Sequence, residues 1–299
     1  MNVLAIVNPL SGARAHPEIA ARRVALLQQR FAALGIDGTV RLTERAHHAS
    51  EMAEEAVRAG VSSVVAWGGD GTVNEVASAL VDSGTILGVI PAGSGNGFAH
   101  ALRLPHDARQ AIEIALSADA KPVDVGEIDG RRFFNIAGIG LDAAVAERFN
   151  QQDQGKRGMV PYLKIGLGEA FRYRGNRYRV WLDGRVFETD ALVIAFANGM
   201  EYGNGARIAP HALVDDGRLE AVVVEDRSPM ARLWVARHLL TRTPQRASGV
   251  RFQSVVQATV ETDRPIAYHV DGEPGRGGTT VAVRVRPGAL RVRVPRRSS

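Results

Sequence analysis

Short apolar runs, each the length of one buried strand, alternate with helix-period segments from the start of the chain to about residue 120. Val3–Val7, Thr39–Leu42, Ser63–Trp67 and Ile86–Ile90 are the strand candidates. Glu18–Ala33, His48–Ala59, Val73–Leu80, Phe98–Leu102 and Ala108–Ala118 carry the helical pattern, with Gly35 and Gly60 placed to stop the first two helices. Strand–helix alternation at this spacing implies a parallel sheet covered by helices.

The remainder of the chain has a different texture. Apolar–polar alternation dominates and helices are few, Pro229–Thr241 being the clearest. Tyr178–Leu182 and Arg185–Thr189 flank Asp183-Gly184, the signature of a hairpin turn. Further strands are expected at Phe133–Ala137, Leu192–Ala197, Leu219–Val224, Val255–Val260, Ile266–Val270, Thr280–Val285 and Leu290–Val294. Many strands at short intervals indicate an antiparallel sandwich or barrel. The expected organisation is an α/β domain over 1–122 and a β-rich domain over 123–299, with the extreme C-terminus a candidate to return to the first domain. A length of 299 residues suits two domains at ~100–200 residues each.

Composition removes several classes of protein. Hydrophobic residues at 45% and charged residues at 23% describe an ordinary soluble globular chain rather than a disordered one. With no cysteine, a disulfide scaffold, a thiolate zinc site and a cysteine nucleophile are excluded. No apolar stretch approaches the ~18 residues of a membrane span. The Met1–Pro9 segment lacks a basic leader and is interrupted by Asn8-Pro9, so no signal peptide is read and a cytoplasmic location is expected. Net charge is +5, and all but three of the 37 basic residues are arginines, whose planar forks suit phosphate. Nucleic acid is a poor partner for this chain, because the arginines are scattered and aromatics are only 6%.

The chemistry concentrates in turns. Gly68-Gly69-Asp70-Gly71-Thr72 lies between the third strand and the third helix, where open parallel sheets bind ligands. Its glycines allow close approach to a phosphate, the helix start adds positive dipole character, and Asp70 suits Mg²⁺ or a proton. Thr72 and Glu75 also fit a capping box. Pro91-Ala92-Gly93-Ser94-Gly95-Asn96-Gly97 follows the next strand, Asn8-Pro9-Leu10-Ser11-Gly12 follows the first, and Thr43 ends the second. Four small polar turns at one sheet edge read as a nucleotide site, though neither a Walker A loop nor a dinucleotide fingerprint is present.

Two further segments carry carboxylates. In His269-Val270-Asp271-Gly272-Glu273 an extended chain would put all three ionisable groups on one face, for a metal or for activating a hydroxyl. The competing reading is an Asp-Gly turn closing a strand, with His269 a strand-face residue. Ala209-Pro210-His211-Ala212-Leu213-Val214-Asp215-Asp216-Gly217-Arg218-Leu219 reads as a turn before a strand, and its aspartates suit a hard cation.

Taken in order, Asn8-Pro9-x-Ser11-Gly12, Gly68–Thr72 with Asn74-Glu75, Pro91–Asn96, Ala209-Pro210-x-Ala212-x-x-Asp215-Asp216-Gly217 and Asp271-Gly272-Glu273 resemble the diacylglycerol kinase catalytic family. The likeness covers nearly the whole chain and is strongest to bacterial soluble lipid kinases, with sphingosine kinases as relatives. It implies an α/β domain like that of NAD kinases and phosphofructokinases, a β-sandwich domain, ATP and Mg²⁺. By motif match, Asn8, Ser11, Gly12, Thr43, Gly68, Gly69, Asp70, Gly71, Thr72, Asn74, Glu75, Ser94, Gly95 and Asn96 would bind the nucleotide. Asp70 and Asp271 would handle Mg²⁺ or proton transfer, with Glu273 the other candidate base. Asp124 matches a further acidic position, and a structural Mg²⁺ would sit at Asp216 with the carbonyls of Leu213 and Arg218. Gly97 departs from the diacylglycerol kinase pattern, which has Asp there, and moves the segment towards long-chain-base kinases.

The resemblance implies in-line transfer of the ATP γ-phosphoryl to a lipid hydroxyl, at a membrane visited from the cytoplasm. An NAD-kinase-like enzyme with a soluble acceptor and a silent nucleotide sensor are the alternatives. A homodimer is left open. Arg284, Arg286, Arg291, Arg293, Arg296 and Arg297 fall in a C-terminal stretch without acids. They read either as a solvated sheet face or as a contact for anionic headgroups.

Overall fold

A computed structural model describes residues 2–12, 17–150, 173–202 and 206–296. Two compact units emerge, the first from the described residues up to Val123 together with those from Gly288 onward, the second from Asp124 to Pro287. Arg297 of the C-terminal arginine row lies outside the described residues. Among the described residues no helix is long and apolar enough to cross a membrane.

The first unit is built from β1 (Asn2–Val7), α1 (Pro17–Leu34), β2 (Asp37–Leu42), α2 (His48–Arg58), β3 (Ser63–Gly68), α3 (Asp70–Leu80), β4 (Ile86–Pro91), α4 (Gly97–Ala101) and α5 (Ala108–Ser117). The strands lie parallel in the order β4-β3-β1-β2, with Val3 beside Ser63 and Ser63 beside Ile86. Val3, Ala5, Val7, Val65, Trp67 and Ile90 pack one face against Leu27 and Phe31 of α1 and Ala111, Ile112 and Ala115 of α5. α2 and α3 pack on each other and on β1 and β3. Burial on both faces explains why these strands read as unbroken apolar runs. Parallel pairing also sends every strand's C-terminal end to one edge, which gathers Asn8, Thr43, Gly68 and Pro91.

The second unit contains β5 (Ala120–Ile128), β6 (Arg131–Phe133), β7 (Ile136–Gly140), α6 (Leu141–Asn150), β8 (Asn176–Leu182), β9 (Arg185–Ala197), β10 (Leu219–Glu225), α7 (Pro229–Leu240), β11 (Val250–Val255), β12 (Gln257–Glu261), β13 (Ala267–Val270), β14 (Glu273–Arg276) and most of β15 (Thr280–Arg293). Its pairings are antiparallel, and β9 meets β8 along its first half and β7 and β10 along its second. Phe133, Phe196, Tyr178, Tyr268 and the aliphatic residues around them fill the core. Each fully buried phenylalanine there contributes about 1.5–3 kcal/mol.

Four strand expectations need correcting. Arg185–Thr189 and Leu192–Ala197 are one continuous strand, β9. Val255–Val260 is not one strand: β11 ends at Val255 and pairs with β10, while β12 begins at Gln257 and pairs with β8 and β15. The break is held by Asp183, whose Oδ1 accepts the N–H groups of Val256 (2.9 Å) and Gln257 (3.0 Å). Phe133–Ala137 is likewise broken, between β6 and β7. Conversely, Thr280–Val285 and Leu290–Val294 belong to one strand, which changes partners along its length. Thr280–Arg284 pairs antiparallel with β12, and Arg291 and Val292 pair parallel with β4. Gly288, at φ 58°, takes up the irregularity between. The short helix α6 had no sequence signal strong enough to be read.

The Asp183-Gly184 hairpin forms as expected, joining β8 to β9 with φ of 47° and 83°, the left-handed pair that a type I′ turn requires. Partial burial opposes ionisation of Asp183, but the Gln257 and Val256 N–H donors and Arg218 outweigh it and lower its pKa. A lowered folded value means that the stabilisation is present above the unfolded value of about 3.9 and is lost as pH falls through the folded one. Asp183→Ala should therefore destabilise by about 1–3 kcal/mol near neutrality. Its deficit against wild type should shrink below about pH 4, as read from urea unfolding at several pH values.

Candidate functional site

In the first unit the site is a pair of glycine-rich loops pressed together. Gly68 ends β3 and Gly69 is the N-cap of α3, in extended conformation. A Cβ on Gly93 would sit 2.8 Å from Gly69 Cα, so the two loops touch backbone to backbone. Asp70, the first residue of α3, clasps them. Its Oδ2 accepts the N–H of Asn96 and its Oδ1 the N–H of Gly97, both at 2.8 Å. The carboxylate thus caps α4 from a neighbouring loop. Asn96, at φ 53°, closes its own loop, accepting from Gly93 N–H and donating to Gly93 O at 2.8 Å each. Ser94 stands exposed at the tip, beside Gly95.

The other turns flank these loops. Asn8 Nδ2 donates to Thr72 Oγ1 at 2.9 Å, tying the end of β1 to the first turn of α3. Ser11 Oγ donates to Asn8 O, and Arg23 donates to Asn8 O, Ser11 Oγ and Ser11 O, each at 2.9 Å. Gly12 closes this turn at φ 105°. Burial lowers the Arg23 pKa, and the guanidinium stacks 5.5 Å from the Trp67 ring. Thr43 N–H donates to Val7 O, which keeps Thr43 at the same edge. The capping box is not formed. Thr72 lies inside the helix and accepts from Asn8, and Glu75 accepts instead from the His47 N–H at 3.2 Å. Asn74 accepts from Ser78, one turn along the helix. The first-turn N–H groups of α3, from Asp70 to Thr72, have no intrahelical acceptor, the arrangement that receives a phosphate.

In the second unit the carboxylates also hold backbone. Asp271-Gly272 is the turn between β13 and β14, with φ of 49° and 90°. The expectation of one shared face for His269, Asp271 and Glu273 therefore fails, because the turn breaks the two-residue alternation. Asp271 reaches the break between β6 and β7, where it accepts the N–H groups of Phe134 (2.9 Å), Asn135 (2.9 Å) and Ile136 (3.0 Å). Three N–H donors converge on this carboxylate, which acts towards all of them as an acceptor. Glu273 is exposed.

His269 is buried, with Nε2 2.9 Å from Asp142 Oδ2, and Tyr202 Oη donates to the same oxygen at 2.7 Å. Nδ1 accepts the Gly272 N–H at 3.2 Å, so the chain Tyr202–Asp142–His269 ends on the catalytic-candidate turn. Burial alone would lower the His269 pKa, but Asp142 and then Asp271 outweigh it and raise it. A second proton on Nδ1 would have to displace the Gly272 N–H. Gly138 leaves room for this contact, since a Cβ there would lie 1.9 Å from Asp142 Oδ2.

The Asp215-Asp216-Gly217 segment is a loop pinned from below. Asp124, buried, donates its N–H to Val214 O and accepts the Gly217 N–H on Oδ2, both at 2.7 Å. Asp216 Oδ1 accepts the Arg218 N–H at 3.0 Å. Leu213 and Arg218, whose carbonyls are the expected partners of Asp216, lie in the same segment, and an all-oxygen set of this kind is the chemistry of a hard divalent cation completed by water. Among the described residues no group of three or more His, Asp or Glu side chains is gathered to hold a metal. Asn198 links the segments: its Nδ2 donates to Asp124 O (2.8 Å) and Phe134 O (3.0 Å). Burial raises the pKa of Glu220, which accepts the His211 N–H.

Arg23, Asp142, Tyr202 and Asn198 escaped sequence reading. None sits in a glycine-rich turn, and each works through partners distant in the chain.

This fold and these loops match the family model for the diacylglycerol kinase catalytic domain over residues 2–128. A second model, the YegS C-terminal NAD kinase beta sandwich-like domain, matches residues 135–294. The chain belongs to the diacylglycerol kinase-like lipid kinase family, in the two-domain form that these models describe. It is 31% identical over 264 residues to a probable lipid kinase YegS-like of Klebsiella pneumoniae (strain 342), covering 87% of each chain. Identity is 30% over 261 residues to the probable lipid kinase YegS of Escherichia coli (strain K12 / DH10B), covering 86% of each. A crystal structure of a diacylglycerol kinase from Bacillus anthracis str. Sterne shares the fold, with a TM-score of 0.74 at 20% identity over 99% of this chain and 97% of its own. A second chain from that organism superposes with a TM-score of 0.82 at 23% identity, covering 99% of this chain and 95% of its own.

Asp271→Asn sets an NH₂ group against backbone N–H donors and should cost about 1–3 kcal/mol. Gly138→Ala should cost a similar amount by forcing His269 and Asp142 apart. A wild-type urea midpoint for Gly138→Ala would show that this contact is not made in solution.

Proposed function

We propose that the chain transfers the γ-phosphoryl group of ATP to a hydroxyl of a lipid acceptor, with Mg²⁺, at the cytoplasmic surface of a membrane. One observation carries the reading: in a member of a lipid kinase family, Asp70 clasps two glycine-rich loops at the C-terminal edge of a parallel sheet. Gly68–Thr72 and the first turn of α3 would receive the phosphates, and Ser94–Asn96 would close over them. Asn8, Ser11, Gly12, Thr43, Asn74 and Glu75 shape the flanks.

Asp70 is better suited to cation binding than to proton transfer. Each of its oxygens already accepts a backbone N–H, which fixes the carboxylate in place as a charge. Asp271 is the corresponding fixed anion of the second unit, and Asp216, with Asp124 beneath its loop, is suited to the structural cation. A bound Mg²⁺ would neutralise phosphate charge. Glu273, exposed and beside the rigid Asp271 turn, is the carboxylate free to take the hydroxyl proton. The acceptor is a diacylglycerol-like or sphingoid-like alcohol. Gly97, whose N–H is taken by Asp70, favours the second.

Labelled γ-phosphate from Mg·ATP should appear in one lipid of a panel containing diacylglycerol, monoacylglycerol, phosphatidylglycerol, sphingosine and ceramide, and not in NAD. Asp70→Asn should give no transfer. Glu273→Gln should lower kcat about 10²–10⁴-fold with the unfolding midpoint unchanged. An active Glu273→Gln would return the base to Asp271, and label only in NAD would overturn the lipid acceptor.

A further inference from the structure

The C-terminal arginine row is largely neutralised. Arg284 and Arg286 both lie on Glu127, Arg293 is buried and donates to Ala118 O, and Arg296 faces Asp119. A different basic surface stands out in the second unit. Residues 227–260 contain six arginines and no aspartate or glutamate. Arg227, Arg232, Arg242 and Arg251 pair with Glu225, Asp226 or Glu201. Arg237 and Arg246 pair with no described carboxylate.

Of these two, Arg237 lies on an exposed apolar face of α7. α7 begins at Pro229, capped by Ser228, and packs inward through Val235 and Leu239 on Leu192, Val224 and Ala247. Its outer face is apolar as well. Met230 is 73% exposed and Trp234 48%, one turn apart, and Arg237 stacks 5.4 Å from the Trp234 ring one turn further on. Arg246 lies on the short turn Pro244–Arg246, which packs on α7. A helix apolar on both faces has a side still to be covered.

We infer that the Met230–Trp234–Arg237 face of α7 docks on an anionic phospholipid bilayer. This rests on the lipid-acceptor reading for its purpose and on the helix for its chemistry. Tryptophan and arginine are amphipathic side chains suited to the boundary between acyl chains and headgroups. Charge selects the occupant. A second copy of this face would offer Arg237 no carboxylate, since residues 227–260 hold none, whereas anionic headgroups complement it.

The test is sedimentation with vesicles of mixed phosphatidylglycerol and phosphatidylcholine, without ATP. Wild type should bind these and bind pure phosphatidylcholine weakly, with a blue shift in tryptophan emission that Trp234→Phe removes. Met230→Ala/Trp234→Ala and Arg237→Glu should each weaken binding about tenfold or more. Their circular dichroism and unfolding midpoints should stay at wild type, since the replaced groups are exposed, as should transfer to a short-chain monomeric acceptor. Unimpaired binding by the double variant, no vesicle binding by wild type, or a dimer that Trp234→Ala dissolves would each overturn the proposal. Vesicle binding by a chain that phosphorylates no lipid would sustain this surface while removing the proposed acceptor.

Discussion

Aspartate carboxylates bonded to backbone N–H groups hold the irregular parts of both units. Asp70 takes the N–H groups of Asn96 and Gly97, Asp271 those of Phe134 to Ile136, Asp183 those of Val256 and Gln257, and Asp124 that of Gly217. Asp70, Asp183 and Asp271 sit at a turn or element end, Asp124 lies within β5, and each donor segment has left regular pairing. A backbone N–H that loses its ladder partner must find another acceptor or carry a desolvation cost. An ionised carboxylate is the strongest acceptor a side chain can offer, and charge-assisted bonds of this kind exceed neutral ones. The loops therefore hold one geometry before any ligand arrives.

That arrangement bears on catalysis. Phosphoryl transfer asks a protein for positioned donors and fixed charges more than for covalent chemistry. A loop closed by Asp70 presents its glycine N–H groups in a constant direction, so the proposed phosphate would find them already in place. The same reasoning supports the proposed choice of Glu273 over Asp271 as the base. A carboxylate that holds three amides in place would give up structure on taking a proton, whereas an exposed neighbour on the next residue but one would not.

Much of the first unit was legible because its cause is local. Buried parallel strands must be apolar throughout, and the turns that follow them must be small, so periodicity and glycine alone locate β1, β3 and β4 and the edge they share. Asp183-Gly184 was legible for the same reason, since its turn type demands those residues. One misreading occurred where a distant residue decides and another where a local turn competes with an extended reading. Val255–Val260 has a strand's composition along its whole length, yet Asp183, over seventy residues away, takes the amides of Val256 and Gln257 and divides it. The single face expected for His269, Asp271 and Glu273 depended on an extended backbone, and the Asp-Gly pair turned it instead.

The buried chain Tyr202–Asp142–His269 illustrates what no local pattern could supply. Its members come from α6, β13 and the segment after β9, and they meet only because Gly138 offers no side chain at the crossing. Asn198 does the same for Asp124 and Phe134, bonding both carbonyls from a position with no solvent exposure. Where a buried polar atom has its partner, as Asn198 Nδ2 and Asp142 Oδ2 do, it fixes one arrangement among many that hydrophobic packing would allow. The carboxylate turns that carry the proposed chemistry are therefore anchored from beneath by buried polar residues distant in the chain. Their geometry is a property of the folded second unit as a whole rather than of the Asp-Gly-Glu motif that marks it.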